Sequence, residues 1–468
     1  MQSSPLLHPR SIPHKISEMM KAPVSPNRRL ETVDILRGFA LFGVLAANMV
    51  LFSGYDNNPA VYADFWDKAI LIGIQFFIRA KFYTLFSFLF GWGMSVQMLN
   101  AAKKGHRFLP VFARRMAILF VFGTLHGTLI WMGDILTLYA ILGVGLLLFR
   151  KQSERVLLIT AVSFITFAIL LNLPSQTINN IKNLIGEWLP YALLVALPLL
   201  LLMLYIGRRQ IRQYIDDHPR FLEKTAVFLI ILAIYVAFFR DEYEQLIELM
   251  RSGNLPNSIY ATGDYWEITQ KRVQDYLRVQ SRFTYYIGNV FSMFLLGFYV
   301  GKRQIFRHVD DHLPLLKKTA VISLIIGVIF NGMFAYDNVN SGWIDPYYKQ
   351  TATVFFRSIG APALMLFYVS SITLLTRQQR WLARLQPLGN LGRMALTNYL
   401  AQSLIFTLIF YGYGLGLYGQ TDPTFGFILT VAFFAVQMRL SGWWLRGHQF
   451  GPMEWLWRRV TYGNKNVD

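Results

Sequence analysis

Residues 31–54 read ETVDILRGFALFGVLAANMVLFSG, and this stretch decides the fold. From Gly38 onward it is apolar apart from Asn48 and Ser53, and as a helix it is long enough to cross a bilayer. Asp34 and Arg37 are three residues apart, so they share one helix face and can neutralise each other at the membrane surface. Arg37 and Asn48 are eleven apart, about three turns, and lie on one stripe. Polar groups at that depth are costly and face the protein interior or a wet cavity. A span that only anchored the chain would have little use for such a stripe.

The rest of the 468 residues have the same character. The chain is 54% hydrophobic and 15% charged, with a mean hydropathy of +0.37. This composition predicts an all-α, polytopic transmembrane helical bundle. Cys is absent, which excludes disulfides, thiol nucleophiles and Cys-ligated metals. The 11 Trp and 24 Tyr suit interfacial belts. Residues 1–33 are polar and Pro-rich, with no apolar core or small-residue cleavage site, and read as a disordered tail, not a signal peptide.

Apolar runs predict ten to twelve spans, near 34–53, 82–99, 112–132, 135–149, 155–173, 187–206, 221–239, 283–300, 317–335, 353–375, 394–411 and 423–440. The fourth is short, and the amphipathic stretch 62–80 is expected on the surface or as a crossing. The expected layout is an N-terminal bundle over 34–206, a C-terminal bundle over 207–440, and a Trp/Arg-rich interfacial tail over 441–468. The net charge of +19 is explained by topology without nucleic acid. Alternate loops and both termini hold 32 of the 45 Lys and Arg. The positive-inside rule therefore places them in the cytoplasm. Segment 240–282 becomes the largest external connection, with helices lying over the mouth of the bundle.

Residues 205–227 and 299–321 match at 13 of 23 positions. They read equally as a duplicated helix pair or as two similar cytoplasmic turns. The Asp216–Asp217–His218 and Asp310–Asp311–His312 triplets invite a metal reading. Helix capping by the aspartates is the simpler account, and no metal is expected.

His126 alone among the eight histidines falls inside a span. Asp134 follows it two turns later, and Arg115 precedes it by eleven residues on the same stripe. Such a histidine can act as a general base, since its pKa is easily tuned. It can equally hydrogen-bond a neighbouring helix for packing. Arg357, within the tenth span, must pair, snorkel or line a wet cavity, where it could bind an anion or polarise a carbonyl. Lys81 opens KFYTLFSFLFGWG, whose small residues suit close helix packing. Arg393 and Thr397, and Asn398 and Gln402, form a polar face for a ligand headgroup or a partner helix. Glu454 is placed to pair with Arg458 at i,i+4. No Walker A, G-x-G-x-x-G or H-E-x-x-H motif is present. Carboxylates inside the spans are confined to span ends, which weakens a proton-coupled transporter reading.

Five motifs together identify the chain as a member of the YeiB-like family of bacterial inner-membrane proteins, which carry a domain of unknown function. They are DILRGFALFGVLAAN, KFYTLFSFLFGWG, the set Arg115, His126-Gly127 and Asp134, GRMALTNYLAQS and FGPMEWLWR. The opening alone also resembles the heparan-α-glucosaminide N-acetyltransferase family. That resemblance implies a transmembrane acyltransferase that carries acetyl from cytosolic acetyl-CoA to an acceptor across the membrane. The relatives' histidine lies just after the first span, where GYDNNPAVYADFW has none. His126 is therefore a substitute.

The expected function is acyl transfer at or across the membrane. Arg114 and Arg115, with Arg37, Asn48, Arg393 and Asn398, would hold the acyl-CoA. His126 would act as base, Asp134 would orient it, and Arg357 would steady the oxyanion. The expected partners are membrane lipids and an acceptor that is a cell-envelope glycan, a lipid headgroup or a small metabolite. A second copy of the chain is a further option. The alternatives are a transporter or lipid-handling protein, and a non-enzymatic scaffold.

Overall fold

The computed structural model describes residues 30–462 apart from 57–58, 104, 106–107, 171–257, 283–286, 340–342 and 345. The described residues form an all-α bundle. Six helices are long and apolar enough to cross a membrane: Glu31–Ser53, Phe65–Lys103, Phe108–Ile130, Asp310–Val339, Tyr347–Leu375 and Pro423–Gly447. Shorter apolar helices cover Leu136–Phe149, Ile287–Lys302 and Ala395–Phe410. The protein is a polytopic membrane protein. The spans expected at 187–206 and 221–239, the first copy of the internal echo, and the first part of the 240–282 segment lie outside the described residues.

Helix α1 (Glu31–Ser53) ends at Gly54, whose left-handed φ of 75° closes the helix without a Cβ penalty. Helix α2 (Phe65–Gly73) starts on an Asp64 cap that accepts from the amides of Trp66 and Asp67. It runs into a π-helical turn, Ile74–Ile78, and the chain then turns through Ala80 at φ 71° into α3 (Lys81–Lys103). The 62–80 stretch is thus a short helical segment, set off from α3 by the turn at Ala80 and packed against the helix Pro423–Gly447. Helix α4 (Phe108–Leu125) also ends in a π-helical turn, His126–Ile130, and α5 (Leu136–Leu146) and α6 (Glu154–Leu170) follow. After α7 (Ile259–Thr262), Asp264 and Glu267 form a capping box for the amphipathic helix α8 (Tyr265–Arg282). Helices α9 (Ile287–Lys302), α10 (Leu313–Val339) and α11 (Pro346–Leu375) come next. They are followed by α12 (Gln379–Arg393), α13 (Ala395–Phe410), α14 (Pro423–Gly447) and α15 (Pro452–Tyr462).

Two close crossings tie the first and last parts of the chain together. In hydrocarbon, helices gain from packing and not from escaping water, so backbones approach where side chains are smallest. Helix α3 packs along α9, and α12 along α1. A Cβ at Gly91 would collide with the Phe294 carbonyl, and one at Gly297 with the Phe88 carbonyl. At the other crossing Gly38 meets the backbone of Leu388, and Gly392 meets that of Asp34. Residues on either side of the boundary drawn at 206/207 therefore share one core. The stretch 379–393, expected as part of a basic loop, is a helix, because Gly392 lets it lie directly on α1. Asp310 pairs with Arg377 at 2.5 Å, which ties the 310–312 turn to the end of α11.

Candidate functional site

A cavity of about 570 Å³ runs along α3 from Phe82 to Gln97. That is about 22 Å at the rise of an α-helix. One end is ringed by Arg37, Arg115, Arg393 and Arg458, with Gln97 and Glu454. The middle is apolar and aromatic, with Phe86, Leu89, Phe90, Leu119 and Tyr139. The far end is closed by Leu51, Ile78, Ala80, Trp131 and Gly133. A basic mouth on an apolar tunnel suits a ligand with an anionic head and a slender, largely apolar arm.

The arginines are held by different means. Arg37 pairs with Asp34 at 2.9 Å, one turn earlier on α1, while Asn48 lines the cavity further along the same stripe. Arg115 lies on the Trp457 ring of α15 at 4.3 Å and donates to the Tyr462 hydroxyl at 3.3 Å. Arg458 lies over Phe450 at 4.0 Å, and Arg393 donates to the Gln449 carbonyl at 3.2 Å. Helix α15 is placed by Glu454, whose carboxylate accepts from the amides of Leu396 and Thr397 and from the Thr397 hydroxyl. It thereby caps the N-terminus of α13 from another helix. Burial holds the Glu454 carboxyl above its usual range, and the three hydrogen bonds oppose that shift.

His126 and Asp134 form a buried pair beyond the far wall. Nδ1 of His126 lies 3.0 Å from Oδ1 of Asp134, and both side chains are about 1% exposed or less. Oδ2 of Asp134 accepts from the Thr137 amide at 2.9 Å, which caps α5. An ionised carboxylate only accepts, so it fixes the imidazole proton on Nδ1 and leaves Nε2 as a lone pair. Nε2 has no hydrogen-bond partner. The Tyr399 ring, which lines the cavity, lies 5.0 Å from the imidazole, and Trp131 lies 6.3 Å away. Arg115 and His126 share a stripe of α4, but the 131–135 turn folds under its last part and closes the tunnel short of the histidine. Gly123 allows this, since a Cβ there would strike the Thr137 amide. Helix α8 covers the outside of the pair: Gln280 donates to the Asp134 carbonyl at 3.2 Å, and Arg272 bonds the Leu129 carbonyl.

The other expected residues are elsewhere. Arg114 is exposed and donates to the Thr461 carbonyl at 3.0 Å, so it fastens α15 and does not line the tunnel. Asn398 is buried between helices, donating to the Leu391 carbonyl and the Ser441 hydroxyl, and Gln402 donates to Gln437. That polar face packs helices. Arg357 sits on α11 with its guanidinium 5.8 Å from the Phe334 ring, where Lys81 also lies, and not at the His126–Asp134 pair. The sequence reading did not pick out Tyr399, Trp457 or Glu454 as site residues. Their signal was membership of the GRMALTNYLAQS and FGPMEWLWR motifs and, for Glu454, its i,i+4 spacing to Arg458. Among the described residues no three His, Asp or Glu side chains gather in one place.

A family profile described as "Protein of unknown function (DUF418)" matches residues 300–464. The protein YxaH of Bacillus subtilis is 35% identical over 460 residues, covering 94% of this chain and 96% of the relative. The chain belongs to the YeiB-like family. YeiB of Escherichia coli itself is 27% identical over 449 residues, 92% of this chain and 95% of the relative. A protein from the amylase 3′ region of Bacillus acidopullulyticus is 25% identical over 451 residues, 95% of this chain and 96% of that one. All three are described as uncharacterized. No solved structure matches the chain. The DUF418 portion of this YeiB-like protein supplies α10–α15, including Arg393, Tyr399, Glu454 and Arg458, whereas His126, Asp134 and Arg115 come from the earlier helices.

Proposed function

We propose that the protein transfers an acyl group from a cytosolic acyl-CoA to an acceptor at or across the membrane. One observation carries the reading: a single tunnel has four arginines at one end and a His–Asp pair behind the wall at the other. In the orientation expected from the basic loops, the arginine mouth opens to the cytoplasm of a bacterial inner membrane. Arg37, Arg115, Arg393 and Arg458 bind the phosphates of the donor through charge-assisted hydrogen bonds. The apolar lining takes the pantetheine arm and the acyl chain. Tyr399 and the Trp131–Gly133 turn must yield for the thioester to meet His126. The Tyr399 hydroxyl must give up a 3.4 Å contact with the Gly133 carbonyl and a hydrogen bond with the Ile135 backbone.

Nε2 of His126 then takes the proton from the acceptor's hydroxyl or amine as that atom attacks the thioester carbonyl. The C–S bond breaks, and the departing thiolate recovers the proton from His126. Asp134 stabilises the imidazolium in between, and the Tyr399 hydroxyl is a donor for the oxyanion. The acceptor is a cell-envelope glycan, lipid headgroup or small metabolite.

The test is calorimetric titration of acetyl-CoA and longer acyl-CoAs into the purified protein, beside Arg115→Ala and Arg114→Ala. Saturable binding weakened by Arg115→Ala but not by Arg114→Ala is expected. No binding at any chain length rejects the proposal. A tunnel spanning most of the bundle also favours passage of a substrate. Flux into proteoliposomes without any acyl donor would support that second reading.

A further inference from the structure

Gly93 lies on the face of α3 that lines the tunnel. Phe82, Phe86, Leu89, Phe90 and Gln97 share that face, so Gly93 is a gap in a row of large side chains. Helix packing does not account for it. Gly91, two residues earlier, lets α3 meet the backbone of Phe294. The two other glycines of the tunnel wall, Gly133 and Gly392, are each pressed against a neighbour, the Trp131 ring and the Asp34 carbonyl. A Cβ built on Gly93 meets no packing neighbour within 4 Å. A glycine inside a helix is less stable than an alanine would be. Gly93 therefore weakens its helix and allows no close crossing in return. What it keeps open is the tunnel.

The widening has a definite place. Gln97 belongs to the arginine-ringed mouth, and Gly93 is four residues further in, about 6 Å at the rise of an α-helix. The pantetheine arm of an acyl-CoA is slender except near its phosphate, where one quaternary carbon carries two methyl groups. That carbon is three bonds from phosphorus, about 4 Å at roughly 1.2 Å per bond of an extended chain. With the phosphates on the mouth arginines, the branch comes level with the gap.

We propose that Gly93 is a specificity-determining residue, which makes room just inside the mouth for the dimethyl-bearing carbon of the pantetheine arm. This deepens the acyl-transfer reading and rests on it. The gap selects a branched arm over an unbranched one, and the arginines select the phosphates.

The purified full-length protein in detergent is titrated calorimetrically with three probes, beside Gly93→Leu. They are acetyl-CoA, its analogue with hydrogens in place of the two methyl groups, and adenosine 3′,5′-bisphosphate, which has phosphates but no arm. Gly93→Leu should weaken acetyl-CoA about 10–100-fold, the effect of overpacking a filled site. It should weaken the analogue less and leave the bisphosphate unchanged. Its Tm without ligand should not fall, because the leucine enters open space and removes a helix-weakening glycine. Acetyl-CoA binding retained by the folded variant overturns the proposal and leaves the acyl-transfer reading standing. Equal weakening of acetyl-CoA and the analogue, or of all three probes, also overturns it, because the branch is then not what the gap receives. No binding of acetyl-CoA by wild type rejects the reading and the proposal together. If Gly93→Leu does not fold, Gly93→Val carries the same test with the same outcomes.

Discussion

Asp134→Asn perturbs the buried pair through its proton and leaves its bulk almost unchanged. In the native pair both carboxylate oxygens accept, one from His126 Nδ1 at 3.0 Å and one from the Thr137 amide at 2.9 Å. An asparagine amide has one accepting and one donating end. With its oxygen on the Thr137 amide, its NH₂ faces Nδ1, and the imidazole must carry its proton on Nε2 instead. The opposite flip sets NH₂ against the Thr137 N–H, donor against donor, and is the worse choice. The favoured arrangement turns two charge-assisted hydrogen bonds of about 1.5–3 kcal/mol each into neutral ones of about 0.5–1.5 kcal/mol each. The fold therefore loses about 2–3 kcal/mol, which thermal unfolding in detergent would register as a fall in Tm. The base loses its lone pair altogether, and general-base catalysis contributes about 10²–10⁴-fold. The decisive assay is nitrogen-15 spectroscopy of protein labelled at histidine, with His126 assigned by its disappearance in His126→Gln. Wild type should show a proton-bearing Nδ1 and a bare Nε2, and Asp134→Asn should show the reverse. A protonated Nε2 in wild type, or a tautomer indifferent to the substitution, refutes the reasoning.

Three further outcomes are expected. Arg115→Ala should weaken acyl-CoA binding about 10–100-fold, the worth of a charge-assisted hydrogen bond. Arg114→Ala, whose guanidinium is engaged with Thr461, should change it little; titration calorimetry reads both. Gly297→Ala should cost about 1–3 kcal/mol in thermal unfolding, because the added methyl must push α9 away from the Phe88 carbonyl. The Gly91→Ala/Gly297→Ala double variant should cost less than the sum, since one displacement relieves both clashes. Glu454 should make stability pH-dependent. Its folded carboxyl holds a proton that the unfolded chain, near the ordinary value of 4.5, has already released. The folded state binds more protons in that window, so stability falls as pH rises through it. Tm measured from pH 4.5 to neutrality should show this fall in wild type and lose it in Glu454→Gln.

The helical membrane bundle and, among the described residues, the main ends of its spans were legible in the sequence, because in hydrocarbon a backbone must satisfy its own hydrogen bonds and apolar length alone marks each helix. Local pairings were legible for the same reason of short range. The Asp34–Arg37 pair follows from a three-residue spacing within one helix. The His126–Asp134 contact was suggested by their nearness in the chain, although the π-helical turn that carries the histidine had no signal in the hydropathy pattern. The stretch 379–393 read as a loop because its helix is recognisable only from what it lies on. What joins distant parts of the chain was decided by tertiary structure alone. Arg357 and His126 each read as a polar group inside a span, but that says nothing about which helix is next to which. Only the packing shows that Arg357 belongs with Lys81 and Phe334. Arg114 and Arg115 are neighbours in sequence, yet the 100° between them on a helix sends one outward to Thr461 and the other into the tunnel beside Trp457. Hydropathy sets how deep each residue sits; the close crossings at Gly38, Gly91, Gly297 and Gly392 set which residues meet, because contact between helices in a membrane depends on shape.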